Sequence, residues 1–209
     1  MVWHGHACFE IIGTSTLVVD PHDGKSIGIK TPVVRADVVL VSHDHFDHNC
    51  ARIVKGDFTK IAVEGERQVD GVLVKGLKAY HDEVQGERRG SILIYRFEMD
   101  DVSFCHCGDL GHTLSKEQVE ALTPIDVLFV PVGGVFTIDG EAAQEIVSQL
   151  KPKIVVPMHF RVGGLSLSIQ TLDPFLKDIS EEKIFRVGNE VDILPEDLPT
   201  ETEYWVFCL

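Results

Sequence analysis

Apolar positions along the chain gather in short runs, each closed by glycine, proline or acidic turn residues, and the runs change character halfway. In the first half they read as strands. Cys8–Ile12 and Thr16–Asp20 flank the turn Gly13-Thr14-Ser15. Val38–Ser42 (VVLVS) is apolar without alternation, which predicts a strand covered on both faces. Ile61–Gly65, Val72–Gly76, Ser91–Phe97 and Val102–Cys107 follow, the last two joined through Met99-Asp100-Asp101 as a hairpin. The second half alternates strand and helix patterns. Ser115-Lys116-Glu117-Gln118 is a capping box opening a helix to about Leu122. A strand over Asp126–Val132, a helix from Asp139 to about Leu150 and a strand over Lys153–His159 come next. Asp173-Pro174 pairs an N-cap with proline at the first helical position and starts a third helix over Asp173–Ser180. The tail Tyr204–Leu209 (YWVFCL) suits either a final edge strand or an interface patch. The pattern predicts an α/β (α+β) architecture of two β-rich sheets flanked by helices, about two layers of each.

Length and charge narrow the classes of function. A chain of 209 residues without linker or low-complexity tract suits one domain over residues 1–209. The balance of 19 basic against 33 acidic residues gives a formal charge of −14, which argues against nucleic acid or an anionic membrane surface as partner. No segment approaches the roughly 18 apolar residues of a membrane span, and the opening MVWHGHACFEII lacks the layout of a signal peptide. Five cysteines without a regular framework fit a reducing cytoplasm. Cys105 and Cys107, two apart on a strand, share a face that His106 does not, so they read as buried free thiols. The apolar tail leaves room for a homo-oligomer.

The chemistry concentrates in Ser42-His43-Asp44-His45-Phe46-Asp47-His48-Asn49. Between His43 and His48 stand three histidines and two aspartates, directly after the VVLVS strand. If the strand continued through His43 and His45, both rings would share a face, with Asp47 and His48 following as the chain turns away. Imidazoles and carboxylates packed this densely repel or go unpaired unless something holds them. A metal needs about four ligands. His81, Asp109 and His159 each stand just beyond an apolar run, and strand ends converge at one rim of a sheet. Seven donors serve two ions if one carboxylate bridges, and Asp109 has two oxygens to share. All-nitrogen and oxygen ligation suits zinc first, with manganese, iron or nickel also fitting.

The run His43-Asp44-His45-Phe46-Asp47-His48 matches H-x-H-x-D-H, and the chain resembles the metallo-β-lactamase superfamily through it. His81 in AYHDE, Asp109 in CGDLGH and His159 in VPMHF match the later ligands of that family in order. GHACF, VVDPH and PVGGVFTID are similar to the branch of ascorbate-phosphate lactonase-like bacterial proteins. The resemblance implies a four-layer αβ/βα sandwich. It implies one divalent metal ion on His43, His45 and His81, a second on Asp47, His48 and His159, and Asp109 between them. Two such ions share a water and lower its pKa toward roughly 7, with Asp47 and Asp109 as the catalytic carboxylates. The resemblance then implies hydrolysis of a small ester, lactone, thioester or phosphodiester. A diiron redox or sensing protein on the same fold is the alternative. His22 stands where the branch carries phenylalanine. No appended segment suggests a nuclease, and a flavodiiron reductase would carry glutamate at position 45.

Five further residues are expected near the centre. His6 follows the pattern of the branch and is a candidate to support a ligand or touch substrate. Asp20 is placed to receive the N–H of a ligand imidazole. His112 would reach the pocket mouth, and the amides of Gly133 and Gly134 would face an anionic group.

Overall fold

The computed structural model describes residues 1–209. One sheet holds β1 (Val2–Trp3), β2 (Phe9–Ile12), β3 (Thr16–Val19), β4 (Val38–Leu40) and β5 (Thr59–Ile61) in that order. The remaining strands are β6 (Gly65–Val69), β7 (Val72–Tyr80), β8 (Ser91–Met99), β9 (Val102–His106), β10 (Val127–Pro131), β11 (Ile154–Met158), β12 (Ile184–Arg186) and β13 (Glu203–Val206). They form a second sheet in the order β12-β13-β11-β10-β9-β8-β7-β6. The result is a mixed α/β architecture of two sheets facing a shared core.

Each sheet has an antiparallel part built by hairpins and a parallel part built by crossovers. The β8–β9 hairpin turns through Asp100 (φ 50) and Asp101 (φ 61), both left-handed as a two-residue turn of this hand requires. In the second half α1 (Lys116–Leu122) lies between β9 and β10, and α2 (Gly140–Leu150) between β10 and β11. Both begin as the sequence predicts. Ser115 accepts from the Gln118 amide while the Gln118 side chain accepts from the Ser115 amide, and Asp139 accepts from the Ala142 amide at 3.0 Å.

The alternation of β3 and β4 shows how the first sheet is covered. Leu17, Val19, Val38 and Leu40 enter the main core between the sheets. Val18, Val39 and Val41 point outward and are buried by Val34, Ala36 and Val54. The outer cover of this sheet is therefore loop and a short 3-10 turn (Ala51–Ile53) rather than a full helix. Each fully buried valine or leucine contributes roughly 1.5–3 kcal/mol, which explains why VVLVS is apolar on both faces.

Three expectations are corrected. The strand expected over Ile61–Gly65 is instead the turn between β5 and β6, sharing only its end residues with them. The third helix, α3 (Asp173–Leu176), is a single turn with Leu172 at its N-cap, because the Asp173 carboxylate accepts from the Thr171 hydroxyl at 2.9 Å and caps nothing. The apolar tail opens with an inner strand rather than an edge strand. β13 runs parallel between β11 and β12, with Tyr204, Val206 and Phe207 buried.

The topology sets one rim. β9, β10 and β11 run parallel, and β7 reaches the same direction after two antiparallel steps through β8. The C-terminal ends of β7, β9, β10 and β11 consequently lie at one end of the sheet, where His81, Asp109, Gly133 and His159 follow.

Candidate metal centre

The histidine run is not an extension of β4. Past Leu40 the ladder changes partners: the Val41 amide still donates to Ile61, but the Ser42 amide donates to the Asp20 carboxylate and the Ser42 carbonyl accepts from Leu93 of the other sheet. The strand stops there, and His43–His48 form a compact turn in which the amides of His48 and Asn49 both donate to the His45 carbonyl. The Cys50 amide donates to Pro21 at 2.7 Å and pins the end of this turn to the chain leaving β3.

Three overlapping groups of donors result, with the ligating atoms of each group within 4.8 Å of one another. His43, His45 and His81 form the first; His6, Asp47, His48 and His159 the second; His43, His48 and Asp109 join the two. In the first group His43 Nε2 and His45 Nδ1 lie 2.9 Å apart. Asp109 sits between the groups, with Oδ2 at 3.3 Å from His81 Nε2, 3.3 Å from His159 Nε2 and 3.8 Å from His43 Nε2, and Oδ1 at 3.2 Å from His48 Nε2. All seven donors expected from the sequence are thus brought together, and His6 adds an eighth polar side chain.

Several atoms here are buried without a hydrogen-bond partner, among them His48 Nε2, Asp109 Oδ1 and the Nδ1 atoms of His81 and His159. Leaving a buried polar group unpaired costs about 1–3 kcal/mol each, so a folded protein seldom gathers several at one point. Divalent cations that accept imidazole and carboxylate donors fit this set, because His48 Nε2 and Asp109 Oδ1, which face each other at 3.2 Å without hydrogen-bond geometry, would each gain a partner.

The protonation states agree with that fit. Burial lowers the His43 pKa to about 3, with the neighbouring His48 adding to it. Burial, followed by the adjacent His159, lowers that of His6 to about 3. Burial would raise the Asp109 pKa, but His159 and His48 hold it well below the usual carboxylate range. Burial also opposes charge on His48, yet Asp109 and Asp20 raise its pKa well above the ordinary value. Asp109 is thus ionised and His43 and His6 neutral, as metal ligands must be, while on His48 a bound cation would take the place of the proton.

A surrounding shell aims these side chains. Asp20 Oδ2 lies 2.9 Å from His48 Nδ1, and the Asp20 carboxylate also accepts from the Ser42 amide and hydroxyl, so His48 Nε2 is turned inward. His6 Nε2 lies 3.1 Å from Asp47 Oδ2, and its ring packs on that of His159 with centroids 4.1 Å apart. His22 Nε2 reaches the carbonyls of His4 and Gly5 and steadies the bend that carries His6, a residue at φ 56. His106 Nε2 donates to Ala7 at 3.0 Å, while Cys105 and Cys107 are free thiols inside the core.

Other expected residues sit apart. His112 spends both ring nitrogens on backbone, accepting from the Tyr80 amide and donating to the Thr113 carbonyl, and does not turn into the centre. The Gly134 amide donates to Ile138 and offers nothing to an anion. Gly133 has another purpose: a Cβ there would lie 2.0 Å from the His159 carbonyl oxygen. Asp82 and Arg89 beside His81 escape sequence reasoning. The signal available was an aspartate followed four residues later by glycine, the pattern of a carboxylate-wound turn.

Comparison with known proteins adds to this geometry. A family model described as a beta-lactamase superfamily domain matches residues 1–159. A UPF0173 metal-dependent hydrolase from Thermoplasma acidophilum is 30% identical over 190 aligned residues, covering 79% of this chain and 84% of the relative. A crystal structure from Thermotoga maritima, described as that of a zinc-dependent hydrolase of the metallo-beta-lactamase superfamily, is 37% identical. It superposes with a TM-score of 0.82 over 99% of this chain and 96% of that one. A fold likeness alone links the chain to CmlA, a diiron β-hydroxylase from Streptomyces venezuelae, at 16% identity and a TM-score of 0.57 over 75% of this chain and 44% of that one.

Proposed function

Because the chain belongs to the metallo-β-lactamase superfamily, we propose that it is a metal-dependent hydrolase with two divalent cations in the centre and a small ester, lactone, thioester or phosphodiester as substrate. The observation that carries this reading is the convergence of His43, His45, His81, Asp47, His48, Asp109 and His159, several with buried atoms that lack any other partner. His43, His45 and His81 would hold one cation, Asp47, His48 and His159 the other, with Asp109 shared. Bound there, such cations supply Lewis acidity and lower the pKa of a water from 15.7 toward roughly 7.

The protein's own groups do the positioning. Asp109 keeps one oxygen toward His81 and His159 and the other toward His48, so its charge lies between the two histidine sets. Asp47 is fixed through one oxygen by His6, leaving the other to orient a proton of the attacking water. Asp20 accepts from His48 and keeps that ring from rotating. Zinc and manganese are the metals favoured for hydrolysis.

Element analysis of purified protein, with turnover of lactones, thioesters and bis-(p-nitrophenyl) phosphate before and after chelation, tests the proposal. About two colourless divalent ions per chain and activity restored by zinc or manganese are expected. A chelated protein as active as the loaded one, or a coloured, air-sensitive diiron protein without hydrolytic turnover, would overturn it.

A further inference from the structure

The rim beside His81 carries a cation that the metal centre does not use. Asp82, the next residue, is buried and its carboxylate accepts four backbone amides: Val84 at 3.0 Å, Gly86 at 2.8 Å, Arg88 at 3.0 Å and Arg89 at 2.7 Å. Four amide donors on one buried carboxylate wind the segment into a tight loop. The His81 amide donates to the Gly90 carbonyl at 3.0 Å and closes it. The backbone of Arg89 is therefore held in register with the candidate ligand His81.

The Arg89 side chain is held from the opposite wall. Its Nη2 donates to the Val135 carbonyl at 2.9 Å, and its guanidinium lies 5.5 Å above the Phe136 ring centroid. Both residues belong to the loop after β10 that opens with Gly133 against His159. A cavity of about 300 Å³ lies between the loops, lined by His81, Gly111, Arg88, Arg89, Phe136 and Thr137 among others. Glu83 also lines it, but its carboxylate pairs with Arg88 at 3.4 Å. Arg89 meets no carboxylate within 4.0 Å, in a chain whose formal charge is −14. One of its five N–H groups is spent on Val135, and the rest retain the fork geometry that matches a carboxylate or phosphate.

We propose that Arg89 is an anion seat in the substrate pocket, so that the substrate carries a carboxylate or phosphate group held by Arg89 beside the bond presented at the metal centre. This inference rests on the hydrolase reading for its second group, though not for the seat itself. Arg89 is preorganised by its ring and carbonyl contacts, so little side-chain freedom is lost when an anion binds. The exposed Val135 and Phe136 alongside it would cover an apolar stretch next to the charge.

The test pairs turnover with binding on the protein as purified. Hydrolysis of p-nitrophenyl butyrate is compared with that of mono-p-nitrophenyl glutarate, which differs by a terminal carboxylate, in wild type, Arg89→Gln and Arg89→Lys. Binding of monomethyl glutarate and of methyl phosphate to the same proteins is followed by saturation-transfer NMR, and the stronger of the two identifies the anion. A preference in kcat/KM for the glutarate ester, falling about tenfold or more in Arg89→Gln and less in Arg89→Lys, is expected, since a charge-assisted hydrogen bond is of that order. Anion binding should weaken in parallel while the melting temperature stays within a few degrees.

An Arg89→Gln protein that binds both anions as wild type does would overturn the proposal. So would one that merely melts earlier with the ester preference intact, the mark of a loop tether. If neither ester turns over, and lactones, thioesters and bis-(p-nitrophenyl) phosphate are equally inert, but Arg89-dependent anion binding persists, the seat stands and the hydrolase reading falls.

Discussion

His22 supports the centre without facing it, and its environment makes stability depend on acid. Burial lowers its pKa to about 4, against the two backbone hydrogen bonds to Gly5 and His4, which raise it. The folded value lies below the unfolded value of about 6.5, so the unfolded chain takes up a proton that the folded protein refuses. His22 therefore contributes stability that is present above about pH 6.5 and lost as pH falls toward 4, at up to about 1.4 kcal/mol per pH unit. His22→Phe removes the titration but strips two carbonyls of their donor, costing about 1–3 kcal/mol at neutral pH. Urea unfolding of the variant should show a lower midpoint at pH 7.5 and a shallower fall between pH 6.5 and 4; an unchanged slope would place the acid sensitivity elsewhere. At this scale the sequence was uneven. The run from His43 to His48 is legible because three imidazoles and two carboxylates in six positions have little use apart from a shared charge. Asp20 is legible because a ligand imidazole needs an acceptor. The partners of His22 and Arg89 are backbone groups of distant segments, and only the fold brings those within reach, whereas Asp82 takes its amides from the loop it opens.

Elements carry the donors to the rim, and close packing between them sets how precisely. After β10, Gly133 passes so near the end of β11 that a Cβ would meet the His159 carbonyl at 2.0 Å, while His159 itself sits at φ 53. Gly133→Ala must displace one segment or the other, since the obstacle is backbone rather than a flexible side chain. Gly163→Ala is the control, as nothing lies within 4 Å of its added Cβ. We expect Gly133→Ala to lose about 1–3 kcal/mol in chemical denaturation and to bind zinc more weakly in competition with a chelator, with Gly163→Ala matching wild type in both. Equal zinc affinity in all three proteins would mean that the β10–β11 approach does not position His159. Apolar runs and capping residues made most strands and the first two helices legible. They failed where the deciding contact was local and polar, as when Thr171 took the carboxylate meant to cap α3. They failed again at β12, whose three residues are half-buried or exposed and so carry little pattern.

Across the whole molecule the centre lies where the two sheets meet, so a metal bound there would be a structural link as well as a chemical one. The loop His43–His48 leaves the five-stranded sheet, whereas His81, Asp109 and His159 leave the eight-stranded sheet. Other ties across the same boundary need no metal: the Tyr95 hydroxyl bonds the Val41 and Ile61 carbonyls at 2.9 and 3.0 Å, and the Leu93 amide donates to Ser42 at 2.8 Å. One continuous core also runs between the sheets. Chelation should therefore leave the chain folded but weaken it, because ions that bind only the folded state add RT ln(1 + [L]/Kd) to its stability. At a free metal concentration of about 1,000 times Kd that is roughly 4 kcal/mol. For a chain of this length each kcal/mol moves the midpoint by about 2–4 °C, so a drop of about 8–16 °C is expected. Calorimetry with and without chelator measures it, and far-UV circular dichroism should be nearly unchanged at 25 °C. A single transition should persist in both forms, since the shared core couples the sheets whether or not the ions are present. Two separated transitions in the chelated protein would mean that the metal, rather than the core, makes the sheets unfold together. An unmoved midpoint would mean that the converging donors hold no cation in the folded protein.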